Sequence, residues 1–213
     1  MTAYLFDLDG TLADTLPLIL HSSRLALAEL QRETTDEEIL ALIGVPLLET
    51  GEILLGKGMG ELYRECYHKH FSSLDSSGLR AFPGLAELLD ELSAAGGKLA
   101  CVTSKRHIPA QNTLKQIGLL AYFSALVCAE SCENHKPHAE PALMALKLLQ
   151  AAEEKAIFIG DSVFDIGCAV NAGIASCGVT WGAENEQRLI QAGATHIAHN
   201  TGELRAILLA EFI

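Results

Sequence analysis

Two carboxylates two residues apart, Asp7 and Asp9, sit at the end of the apolar run Tyr4–Leu8 and lead into Gly10-Thr11-Leu12. A buried charge is costly unless a cation or a reaction uses it, so a pair at a strand tip points to chemistry. A single aspartate there would serve equally well as a turn residue capping the next helix. The run Ala156–Gly160 ends in a similar way, in Asp161-Ser162-Val163-Phe164-Asp165. If a helix begins there, the four-residue spacing turns Asp161 and Asp165 towards one point. Hard oxygen ligands with open positions suit Mg²⁺, which keeps waters and accepts a substrate phosphate. A third run ends Val102-Thr103-Ser104-Lys105, where hydroxyls and backbone N–H groups can seat an anion or simply cap a helix. Further on, His135-Lys136-Pro137-His138-Ala139-Glu140-Pro141 holds a lysine in a proline-stiffened stretch ahead of a helix. That lysine can neutralise a phosphate and a carboxylate at the same edge, although alone it is an ordinary surface lysine.

These residues need a frame that brings them together. Short, continuously apolar runs recur at Tyr4–Leu8, Lys98–Thr103, Ala125–Ala129, Ala156–Gly160 and Ala175–Val179, with Thr195–Ala198 a weaker sixth. Between them lie stretches of helical period: Gly84–Ala95, His107–Ile117, Pro141–Ala151, Phe164–Ala172 and Glu186–Ala192. Strands alternating with helices predict right-handed crossovers and an α/β fold whose parallel sheet is covered on both faces. The stretch from about Leu16 to Leu79 breaks this rhythm with no convincing strand. Leu16, Ile19, Leu20, Leu27 and Leu30 form a helical stripe, and Thr35-Asp36-Glu37-Glu38 is a capping box opening a second helix. Gly44-Val45-Pro46 breaks that helix, and two more helical segments follow to about Leu74. The expected division is a core of residues 1–14 and 81–213 and a helical insert of residues 15–80. An insert after the first strand lands above the carboxyl edge of the sheet, where open α/β folds bind ligands.

Composition narrows the possibilities. The chain has 213 residues, with 27 acidic against 15 basic side chains and a formal charge of −12. Such a balance argues against wrapping nucleic acid or lying on an anionic membrane, both of which need clustered Lys and Arg. No apolar run approaches the ~20 residues of a membrane span, and the N-terminus lacks the basic region of a signal peptide. The six cysteines are scattered, as expected of free thiols in a reducing cytoplasm.

The four motifs fall in order at successive strand ends. In this the chain resembles the haloacid dehalogenase superfamily of aspartyl-phosphate phosphatases, specifically phosphoglycolate phosphatase-like members with a helical cap after the first strand. The resemblance implies a Rossmann-like parallel-sheet core with an inserted cap domain, Mg²⁺ as cofactor and a small phosphorylated metabolite as substrate. It implies that Asp7 is the nucleophile and Asp9 the general acid and base. Thr103 and the Ser104 N–H would hold the phosphoryl oxygens, with Gly10, Thr11 and Lys105 also at the substrate, and Lys136 would steady Asp7. Asp7, Asp161 and the backbone carbonyl of Asp9 would bind the metal, and Asp165 would hold Lys136 or a metal-bound water. One departure is Ala139, where many relatives have a proline; it bears on the stiffness of the lysine loop. Monomer and homodimer are both compatible with the sequence.

Alternatives exist on the same core. A sugar-phosphate mutase of the β-phosphoglucomutase type or an inorganic pyrophosphatase would keep every core motif, so the insert must decide. A receiver-type signalling module needs neither Asp9 nor an insert. Cys128, Cys132, His135 and His138 mimic a zinc set, but their spacing is not that of a standard finger. Gly56-Lys57-Gly58-Met59-Gly60 is expected to connect helices rather than cradle phosphate, because it follows no strand. His68 and His70 are expected to be solvated.

Overall fold

The computed structural model describes residues 2–74 and 76–212. Its elements are β1 (Ala3–Phe6), α1 (Leu16–Glu29), α2 (Asp36–Leu40), α3 (Leu47–Leu55), α4 (Gly60–Ser73), α5 (Leu85–Ala94), β2 (Lys98–Val102), α6 (His107–Gln116), β3 (Ala125–Val127), α7 (Glu140–Leu149), β4 (Ala156–Gly160), α8 (Val163–Asn171), β5 (Ala175–Val179), α9 (Glu186–Gln191), β6 (His196–Ala198) and α10 (Thr201–Glu211). The six strands form one parallel sheet in the order β3-β2-β1-β4-β5-β6. β1 lies inside the sheet, with Leu5 level with Ala100 on one side and Phe158 on the other.

The two-residue period of the strands sorts their side chains between two cores. Tyr4, Phe6, Leu99, Cys101, Ile157 and Ile159 share one face with Leu85, Leu88, Leu89 and Leu92 of α5 and Leu204 and Leu208 of α10. Ala3, Leu5, Ala100, Val102 and Phe158 share the other with Ala142, Ala145 and Leu146 of α7 and Cys168 and Ala169 of α8. Coverage on both faces explains why the strands read as unbroken apolar runs. α10 was not among the expected helices. Its signals are the pair Leu204 and Leu208 and the cap Asn200, whose side chain accepts from Glu203 N–H at 2.9 Å.

Helices α1–α4 carry a core of their own, built from Ala26, Leu27, Ile39, Tyr63, Cys66 and Tyr67. The capping box forms: Thr35 Oγ1 accepts from Glu38 N–H at 3.3 Å, and Glu38 Oε2 from Thr35 N–H at 3.2 Å. α1 departs from the leucine stripe, for it buries Ser22, Ser23, Ala26 and Leu27. Small residues let α4 come close, and the Tyr63 hydroxyl donates to Ser23 Oγ at 3.0 Å. All six cysteines are free, and burial pushes the Cys168 and Cys177 thiols up to about 12, so they stay protonated at neutral pH. Among the described residues no helix is long and apolar enough to cross a membrane.

Candidate active site

The carboxyl ends of β1, β2 and β4 deliver their residues to one edge of the sheet. Asp7 follows β1 directly, and its N–H extends the ladder to Ile159 O at 2.9 Å. Asp161 follows β4, and Asp165 lies in the first turn of α8. One carboxylate oxygen from each of Asp7, Asp161 and Asp165 lies within 4.8 Å of the others, and all three residues are buried. Lys136 reaches into this cluster from the loop before α7. Its Nζ donates to Asp7 Oδ1 at 2.7 Å and Asp165 Oδ1 at 2.6 Å, with only 2% of the side chain exposed. Ala139 stands at the N-cap of α7, and several bonds hold the loop: Glu140 accepts from Glu133 and Asn134 N–H, and Asn171 Nδ2 donates to Pro137 O at 2.8 Å.

The charges here do not balance. Burial alone would pull the Lys136 ammonium down, but Asp165 and Asp7 outweigh it and the net shift is upward, so Lys136 stays charged. Burial holds Asp7 well above the ordinary carboxylate range, with Lys136 opposing and Asp165 and Asp161 adding to the shift. Asp161 is pushed up to about 7 by burial first and the Asp165 charge second. Three acids against one buried cation leave negative charge that a second cation would compensate. The donor set is all hard oxygen, which fits a divalent ion of the Mg²⁺ class. Asp165 already gives Oδ1 to Lys136 and Oδ2 to Ser162, whose hydroxyl donates at 2.6 Å.

Not every expected substrate residue faces the substrate side. Thr11 is fully buried and donates from Oγ1 to Asp161 Oδ1 at 2.8 Å, so it braces Asp161. Gly10 has φ +81°, and a Cβ there would stand 2.2 Å from Asp161 Oδ2. Gly10 thus packs directly against the Asp161 carboxylate. Gly10→Ala is expected to lose at least about 1–2 kcal/mol in chemical denaturation, because it combines left-handed strain with displacement of Asp161. The loop after β5 completes the brace, with Ala183 N–H donating to Asp161 Oδ2 at 2.7 Å.

Asp9 Oδ1 accepts from Thr15 Oγ1 at 2.7 Å and from Lys105 Nζ at 2.5 Å, and Asp9 is not a member of the three-acid cluster. Thr103 is buried and its Oγ1 accepts from Lys105 N–H at 3.1 Å. Neither Thr103 nor Ser104 caps a helix: α6 starts only at His107, and the Ser104 hydroxyl donates instead to Gly44 O between α2 and α3. That bond ties the insert to the core.

Between the two lies a cavity of about 530 Å³, reached by Asp7, Asp9, Thr103, Ser104 and Lys105. The insert contributes Ile19, Ile43, Arg64, Tyr67, His68 and Phe71 to its walls. These residues were missed in the sequence, although Tyr63, Tyr67 and Phe71 at four-residue spacing mark one face of a helix. His68 is a correction. It lines the cavity and is half-buried instead of solvated, because α4 turns it towards the core. His70 too is half-buried, and it pairs with Glu29 at 2.7 Å. The glycine-rich segment 56–60 joins α3 to α4, where Glu52 accepts from Gly58 and Gly60 N–H at 2.6 and 2.9 Å. Among the described residues the Asp7, Asp161 and Asp165 group alone gathers three or more candidate metal ligands, so Cys128, Cys132, His135 and His138 do not converge.

The family described as haloacid dehalogenase-like hydrolase matches residues 4–179, and the chain belongs to it. Its relatives include pyrophosphatase PpaX of Listeria monocytogenes, 33% identical over 216 residues covering 99% of this chain and 98% of that one. A haloacid dehalogenase-like family hydrolase from Streptococcus pneumoniae superposes with a TM-score of 0.84 at 30% identity, covering 98% of each chain. A β-phosphoglucomutase from Clostridium difficile has a TM-score of 0.87 at 23% identity, covering 99% of this chain and 96% of that one, and shows the shared fold alone.

Proposed function

We propose that the chain is a Mg²⁺-dependent phosphatase that hydrolyses a small phosphomonoester through a phosphoryl group carried on Asp7. The observation that carries this is Asp7, which lines a ligand-sized cavity and is paired behind it with the buried Lys136, itself held by Asp165. Asp7 attacks phosphorus in line while the bond to the leaving oxygen breaks, and Asp9 protonates that oxygen. In the second half Asp9 takes a proton from water, whose oxygen displaces Asp7 and releases phosphate. Lys136 holds the Asp7 carboxylate in place and offsets its charge. Thr103 and the Ser104 N–H hydrogen-bond the phosphoryl oxygens. Asp7, Asp161 and the Asp9 carbonyl would hold the Mg²⁺, which screens the repulsion between carboxylate and phosphate. Residues 15–80 act as a cap that excludes water, latched through Gly44 to Ser104.

Phosphate release from a panel of phosphorylated metabolites, with Mg²⁺ or with chelator, tests this. Inorganic pyrophosphate belongs in the panel, since the likeness to pyrophosphatase PpaX along nearly the whole chain favours it as a second substrate reading. Isomerised sugar phosphate instead of free phosphate would indicate a mutase. The same assay has an expected pH dependence. A proton on Asp161, whose carboxyl lies at about 7, competes with the metal. The half-saturating Mg²⁺ concentration is therefore expected to rise as pH falls from about 8 to about 6, by up to about tenfold per pH unit. A flat Mg²⁺ requirement across that range would count against Asp161 as a ligand.

A further inference from the structure

Resting on the proposed phosphatase activity, we infer that the Tyr67 hydroxyl orients the water that cleaves the phosphoenzyme, and so commits the phosphoryl group to water rather than to an alcohol. Tyr67 lines the same cavity as Asp7 and Asp9, with 6% of its surface exposed. The buried tyrosines Tyr4 and Tyr63 both bond through their hydroxyls, to Phe212 O at 3.1 Å and to Ser23 Oγ at 3.0 Å. The Tyr67 hydroxyl has no hydrogen-bond partner among the described residues. Among those residues Arg64 Nε is the one fully enclosed side-chain nitrogen or oxygen left unpaired, so the Tyr67 hydroxyl opens on the cavity. A polar tip on a buried ring is unfavourable unless something bonds to it.

The surroundings fix where that tip stands. The Tyr67 ring stacks on Phe71, with centroids 5.7 Å apart and planes at 21°. The Phe71 ring centre lies 5.8 Å from Lys105 Nζ, which donates to Asp9 Oδ1 at 2.5 Å. These contacts bring α4 to the side of Asp9. Burial first, and then the Asp9 charge, hold the Tyr67 hydroxyl well above the ordinary tyrosine range, so it keeps its proton. Asp9 engages Oδ1 with Thr15 and Lys105 and leaves Oδ2 unpartnered among the described residues. Both open oxygens belong to residues lining one cavity, and a water between them has a hydrogen for each. In the second half-reaction water gives one proton to Asp9 Oδ2 as its oxygen bonds phosphorus and the bond from phosphorus to Asp7 breaks. Its other hydrogen stays on that oxygen and is held by Tyr67 Oη, which neither gains nor loses a proton. An alcohol has carbon in place of the second hydrogen, so it gains nothing from Tyr67.

Partitioning of the phosphoenzyme tests this. With p-nitrophenyl phosphate as donor and ethylene glycol as competing acceptor, the ratio of glycol phosphate to inorganic phosphate reads the second half-reaction alone. Tyr67→Phe keeps the ring and its packing. Its ratio is expected to rise about 3–10-fold, the worth of one neutral hydrogen bond. Turnover falls, and acid-quenched enzyme carries phosphate on a larger fraction of Asp7 than in the wild type. Loss of folded enzyme lowers turnover without moving the ratio, so a merely structural role is told apart. Tyr63→Phe removes a hydroxyl already bonded to Ser23 and is expected to leave the ratio at its wild-type value. Phosphoenzyme that forms in Tyr67→Phe with no gain in transfer, or an equal gain in Tyr63→Phe, would overturn the role of Tyr67 and leave the phosphatase reading standing. A wild type that never carries phosphate on Asp7 would bring down the phosphatase reading, and the role of Tyr67 with it.

Discussion

Asp7→Asn is expected to lower turnover by at least ~10³-fold with every substrate while the protein still folds. Asparagine has nearly the same shape, so the Asp7 N–H bond to Ile159 and the packing of β1 are kept. The amide cannot form the phosphoenzyme, and what remains is the water-based background reaction. Lys136 loses one counter-ion but keeps Asp165. The substitution also removes a charge that burial disfavours, so Tm is expected to stay level or rise, the pattern of an active-site residue held at a cost to stability. Acid-quenched mass spectrometry should find phosphate on Asp7 in the wild type and none in the variant. Substantial Mg²⁺-dependent turnover by Asp7→Asn would end the nucleophile assignment.

Lys136→Met has the second large effect, and it is as much structural as catalytic. Methionine fills a similar volume without the charge. Asp7, Asp161 and Asp165 are then buried together with no cation among them. Breaking a buried ion pair on one side typically costs about 3–5 kcal/mol. Asp7 and Asp161 already lie above the ordinary carboxylate range, and in the variant they rise further. A carboxyl whose folded pKa is raised binds more protons folded than unfolded, so stability falls as pH climbs from about 4 through that raised value. The Tm deficit of Lys136→Met against wild type, measured without metal, should therefore be small near pH 5 and widen towards pH 8. A deficit independent of pH would mean that packing, not charge, is what Lys136 supplies.

Much of this was legible in the sequence because both faces of the sheet are covered. β4 and β5 coincide with the apolar runs Ala156–Gly160 and Ala175–Val179, and the others differ only at their ends. The strand tips followed, and with them Asp7, Thr103 and Asp161. Direction was harder to read than position. Thr11 and Gly10 stand beside the nucleophile in sequence, but burial turns them to Asp161, and only the paired strand shows that. The capping box at Thr35 formed as expected, while Ser162 and Asp165 make a second one that hides inside the site motif. Arg64 and His68 were out of reach. Nothing in a polar helical stretch says which residue will face a cavity made with a segment 40 positions away, as Ser104 and Lys105 do.

The position of β1 inside the sheet bears on how the chain comes to be folded. Its two neighbours, β2 and β4, both arrive later, and the bond from Thr11 to Asp161 spans 150 positions. As the chain emerges from its N-terminus, α1–α4 can pack on one another from local contacts, whereas β1 waits with one edge unpaired until residues 156–160 appear. Parallel pairing at such separation is slow, and an open apolar edge invites association with other chains. The pairing that gives β1 its second neighbour and the one that brings Asp161 and Asp165 to Asp7 are therefore a single event. A chain interrupted before β4 would hold Asp7 without most of its partners and is headed for aggregation rather than partial activity.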